Sequence, residues 1–164
     1  MAKVTRSNPK AFATLDVALK NLEAKQVRAG WLESAKYPDG TPVAYVAAIQ
    51  ELGSPSNNIP PRPFMRPTVI REKEVWKKML ASGSRSILAG KSTITEVLEQ
   101  VGGYAAAQIA KSITLVFEPP LKKKTIQARL KRRKDKTITA TLTKPLVDTG
   151  IMLRTVDHVV EDSK

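Results

Sequence analysis

Four prolines fall within eight residues of this chain, in the run Ile59-Pro60-Pro61-Arg62-Pro63-Phe64-Met65-Arg66-Pro67-Thr68. Proline locks φ, supplies no N–H and pushes the residue before it out of the helical region. Regular helix and central strand are therefore both disfavoured there. The run predicts a stiff extended rail that presents Arg62, Phe64 and Arg66 at low entropic cost, between two segments of helical periodicity. Two readings stay open. Phe64 with two arginines is interface-like, and prolines lower the ordering cost of binding. Alternatively the rail is a rigid spacer whose Arg62 pairs internally with Glu51 or Asp148.

Around the rail the periodicity alternates between helix and strand. Asn8-Pro9 reads as a helix start, followed by Phe12, Leu15, Leu19 and Leu22 at helical spacing, which predicts a helix over 9–24. A strand is expected over 26–37, then a turn at Tyr37-Pro38-Asp39-Gly40-Thr41. Thr41-Pro42 opens a helix with Val43, Val46, Ala47, Ile49 and Leu52 as its apolar stripe, stopped at Gly53. Thr68 is expected to cap a third helix, bent or ended near Gly83 or Gly90. Ser92 opens the longest helix, to about 112, in which Gly102-Gly103 predicts close packing against a neighbour. Short strands are expected at 114–117, at 137–142 and, after a turn at 145–150, at 151–160. The sum is an α+β fold: a small antiparallel sheet packed against two or three helices, with a long basic arm at about 119–136, all in one domain over 1–164.

Charge is the second constraint. The chain has 28 Lys and Arg against 15 Asp and Glu, a net +13. Between 119 and 136 stand Lys122, Lys123, Lys124, Arg129, Lys131, Arg132, Arg133, Lys134 and Lys136, opposed only by Asp135; nine less one places +8 of the +13 there. Three uses fit such an arm: a nucleic-acid backbone contact through counterion release, a contact arm ordering on an acidic neighbouring subunit, or a solvated loop. It has no aromatic residue for base stacking, which argues against single-strand or sequence-specific RNA recognition. With so little to bury, the arm is expected to be mobile in isolation and ordered on a partner.

Chemistry is poorly provided for. There is no cysteine and one histidine, so thiolate and imidazole sites have almost no raw material. His158 beside Asp157 reads as a surface histidine, since neighbours on a strand point to opposite faces. Asp39, Asp148 and Asp157 sit in or beside turns, where aspartate bonds local backbone. Gly90-Lys91-Ser92 has the ending of a phosphate-binding loop without its first glycine or its preceding strand, so Ser92 reads as a helix cap. No catalytic, cofactor-binding or metal site is assigned. No apolar run approaches the length of about 18 residues that spans a membrane, and the first residues lack a signal-peptide core, which leads us to expect synthesis in the cytoplasm.

Three blocks together resemble the bacteriophage tail-completion family, also known as virion morphogenesis or neck proteins. They are Tyr37-Pro38-Asp39-Gly40-Thr41-Pro42-Val43-Ala44-Tyr45-Val46-Ala47 with Glu51-Leu52-Gly53, then the proline rail, then Lys144-Pro145-Leu146-Val147-Asp148-Thr149-Gly150. The resemblance runs over roughly 25–162. It implies a non-enzymatic structural protein of the virion neck, completing the head-proximal end of the tail and joining tail to head. It further implies a ring-forming homo-oligomer with tail terminator, tape measure and head-closure proteins as neighbours, made in the host cytoplasm, without a membrane. Packaged DNA is a further candidate contact of the basic arm. The alternative, drawn from charge alone, is a stand-alone basic DNA-binding protein.

Overall fold

The computed structural model describes residues 24–132 and 140–163. The helix expected over 9–24 lies outside the described residues, Ala24 apart. The fold is α+β: a two-stranded antiparallel sheet packed against helices. In chain order the elements are β1 (Lys25–Gly30), α1 (Val43–Leu52), a short 3-10 turn (Pro55–Asn57), α2 (Met65–Leu88), α3 (Ile94–Leu115), α4 (Lys123–Arg132), α5 (Ala140–Thr143), α6 (Ile151–Arg154) and β2 (Asp157–Asp162).

α3 is the axis of the molecule. Its N-terminus carries a capping box: the Thr93 side chain accepts from the Glu96 N–H, and Glu96 accepts from the Thr93 N–H. Thr93 is therefore the cap, one residue after the expected Ser92. Its apolar residues bury Val97, Leu98, Val101, Ala105, Ile109 and Ile113. On one side it packs against α2. Gly83 of α2 lies against Val97, Tyr104 donates to Glu72, and Ser112 donates to the Phe64 carbonyl, so the two helices run antiparallel. Another face of α3 meets both strands. A Cβ on Gly102 would overlap the His158 ring and the Val27 side chain, so Gly102 lets the sheet approach the helix backbone, as the sequence led us to expect. In the sheet Val27 pairs with Val160 and Ala29 with His158.

The main core lies where α1, the C-terminal part of α3 and the 146–152 region meet. Val43, Ala47, Phe64, Ile109, Ile113, Leu146, Val147 and Met152 form it. Trp31 meets Phe64 edge-to-face at 5.8 Å and donates its indole N–H to the Met152 carbonyl.

Several expected elements differ. α2 begins at Met65, not after Thr68, and the Thr68 hydroxyl, instead of capping the helix, bonds back to the Phe64 carbonyl inside it. Pro67 is accommodated in the first turn, where its missing N–H has no intrahelical partner to lose. The 114–117 strand is absent because α3 continues to Leu115. The strand expected over 151–160 is divided: Gly150 at φ +76 turns the chain into α6 before β2 starts at Asp157. Residues 140–142 of the expected 137–142 strand belong to the helix Ala140–Thr143, and 137–139 lie outside the described residues. Within the basic arm, residues 123–132 form the helix α4.

Candidate functional site

Glu51 sits near the end of α1, where the chain must turn back. Gly53 at φ +80 makes that turn, and a Cβ there would press on Pro61 and Ile59, so glycine lets the rail fold against α1. The rail is extended, and its side chains alternate as extended chain requires: Pro61 and Pro63 outward, Arg62 and Phe64 inward. The Glu51 carboxylate then meets the open N-terminus of α2. One oxygen accepts from the N–H groups of Phe64 (2.7 Å) and Met65 (2.9 Å). The other accepts from the N–H of Arg66 (3.1 Å) and its Nε (2.9 Å). Burial pushes this carboxyl's pKa up, but the donations from Met65, Phe64 and Arg66 outweigh it and hold the group below its ordinary 4.5.

Two of the three expected interface residues therefore belong to the interior. Phe64 is 1% exposed. Arg62 is buried and donates to the carbonyls of Pro119 (2.9 Å) and Pro120 (3.3 Å) and to the Gln50 side-chain oxygen (3.4 Å). It pairs with neither Glu51 nor Asp148, which are taken by Arg66 and by Arg129 and Arg132. Burial lowers the Arg62 pKa. Only Arg66 reaches solvent, its side chain 63% exposed.

α4 buries one basic residue and leaves the others outward. Arg129 is buried, and its guanidinium donates to four main-chain carbonyls: Leu142 (3.1 Å), Lys144 (2.7 Å) and Val147 (3.2 Å) from Nη1, and Pro145 (2.9 Å) from Nη2. Arg132 bonds Asp148 at 2.7 Å. Lys123, Lys124 and Lys131 are exposed, as is Lys122, whose ammonium lies 3.4 Å from the Asn58 carbonyl. Arg133 and Lys134 lie outside the described residues.

A feature missed in the sequence is the outer face of α1. Val43 and Ala47 face the core, but Leu52, expected on the same stripe, is 64% exposed and Tyr45 is 62% exposed, with Ala44 and Ala48 also outward. The helix's single charged residue, Glu51, is buried, so this outer face carries no charge. The signal was present: ten residues with one charge in a chain this basic.

Beside α1 a groove of about 340 Å³ is lined by Tyr37, Asp39, Arg132, Asp148 and Thr149 among others. Burial, then the charges of Asp148 and Asp39, raise the Tyr37 pKa and keep its phenol neutral. Asp39 accepts from the Thr41 N–H at 3.0 Å, the local turn bond expected of it. His158 is not a plain surface residue: its Nε2 lies 2.7 Å from Glu99, and its ring packs on Gly102. Asp157 curls back toward it, 3.5 Å from Nδ1, rather than pointing away. Among the described residues no group of three His, Cys, Asp or Glu side chains is placed to hold a metal ion. No helix there is long and apolar enough to cross a membrane.

Compared with family models, with curated proteins and with solved structures, the chain has no match.

Proposed function

We propose that this chain is a structural protein of the phage neck, completing the head-proximal end of the tail and helping to join tail to head as a ring of identical copies. What carries the reading is the resemblance in three ordered blocks, together with the way those blocks meet. Val43 and Ala47 of the first, Phe64 of the second and Leu146 and Val147 of the third share one core. Their charged residues act as braces within the fold: Glu51 caps the helix that the rail leads into, and Asp148 pairs with Arg129 and Arg132. That is the use of charge suited to a scaffold.

The uncharged outer face of α1 supports self-assembly. Copies of a chain at +13 repel one another, and they approach with least repulsion through a surface free of charge. Tyr45 and Leu52 supply the apolar contact, and the occupant proposed for this face is a second copy of the chain. Tail terminator, tape-measure and head-closure proteins are the proposed further neighbours, and the virion the proposed location.

The test is a clean deletion in the phage that encodes the chain. Heads and tails should accumulate unjoined, and infectious titre should collapse. Normal virions at normal titre would overturn the assignment.

A further inference from the structure

We infer that the outer face of α4 is a docking surface for the phosphate backbone of double-stranded DNA. α4 contains no acidic residue, and of its basic residues only Arg129 is buried. Arg129 and Arg132 are engaged with carbonyls and with Asp148, while Ile126 and Leu130 are half-buried. Facing water are Lys123, Lys124, Thr125, Gln127, Ala128 and Lys131, together with Arg132, which is 63% exposed while it pairs with Asp148. Lys124 and Lys131 stand two helical turns apart, about 10 Å along the axis, with smaller residues between them.

This composition selects the partner. Protein interfaces are enriched in aromatic residues and arginine and depleted in lysine, and this face offers no large apolar anchor. Lysine is a compact, hydrated point charge suited to phosphate contact without bidentate geometry. Single strands are bound by stacking bases on aromatic rings, which α4 does not have. Lys123 and Lys124, with no acid in the first turn, also oppose the helix macrodipole, a cost that an anion alongside removes. Because Arg129 pins α4 to the body, the lysines ride on an ordered helix and little backbone entropy is lost on binding. The inference does not depend on the neck assignment.

The full chain is titrated against a fluorescently labelled 20-base-pair duplex of arbitrary sequence at several salt concentrations. Three phosphate contacts give a log–log salt slope near −2.7, or about 40-fold weaker binding at 200 mM than at 50 mM salt. The Lys123→Gln, Lys124→Gln, Lys131→Gln triple variant should lose about 2.7 units of slope at unchanged melting temperature, and the corresponding triple Arg variant should keep the slope. Removing three charges elsewhere, by Lys73→Gln, Lys77→Gln and Lys78→Gln on α2, should leave the slope nearly unchanged. An α4 variant that binds like wild type overturns the inference, as does an equal loss in the α2 variant, which would make the binding a matter of net charge. Tighter binding to single-stranded DNA, or to polyglutamate at matched charge, overturns it in favour of another partner. Normal titre in the deletion would remove the neck assignment and leave this result standing.

Discussion

Glu51 caps a helix to which it does not belong. The cap on α3 is local, Thr93 and Glu96 standing three residues apart, and the expected cap at Ser92 misses it by one residue. Glu51 and Phe64 are thirteen residues apart, and only the turn at Gly53 brings them together, so no local pattern announces the bond. The same holds for Arg62: the proline run shows that its side chain is held in place, but not that it is held by carbonyls. Because the Glu51 carboxyl is held below its ordinary 4.5, it adds stability above that pH and loses it as pH falls through the folded-state value. Wild type and Glu51→Gln should therefore differ clearly in urea denaturation at pH 7 and converge in acid. The gap at pH 7 should be about 1–3 kcal/mol, the cost of weakening the pairing of buried N–H groups. A gap that stays constant as the pH is lowered from 7 to the onset of acid unfolding would show that the charge on Glu51 is irrelevant.

At the scale of elements, helices with caps and stripes were legible and segments dominated by charge were not. α4 reads as an arm because Ile126 and Leu130 alone do not offset the ordering cost. The missing contribution is Arg129, whose bonds to four carbonyls over 142–147 join α4 to α5 and to the loop that follows it. Recognition of backbone carbonyls leaves no trace in the residue types of the loop recognised. The 114–117 and 151–160 segments were misread for a simpler reason: short apolar runs fit helix and strand alike, and only their neighbours decide. Arg129→Gln should cost about 1–3 kcal/mol through carbonyls left unpaired. Amide exchange over 123–132 should accelerate while the α2–α3 pair keeps its protection. Unchanged exchange in α4 would mean that the helix is held by its apolar residues instead.

Over the whole molecule, the α+β class was legible, since helical and strand periodicities alternate along the chain. The face that α1 leaves outward was not, because an apolar residue looks the same in sequence whether it faces the core or a partner. Replacing Tyr45 and Leu52 together with Lys should leave the melting temperature within a degree or two, as both are exposed. Light scattering should then show the assembled form lost. A variant that still assembles would move the contact elsewhere. The sheet carries a separate consequence. Lys25 pairs with Asp162 across 137 positions, whereas α2 and α3 are neighbours joined by a short connection. Loop closure over so long a span is slow to nucleate, while the helical hairpin forms from local contacts. As the chain emerges from the ribosome, the hairpin can assemble well before β2 exists, and the surface of α3 around Gly102 waits uncovered until the second strand arrives. Closure of the sheet is thus expected late in folding, and the side of α3 that β2 covers is where a holding chaperone would find the chain.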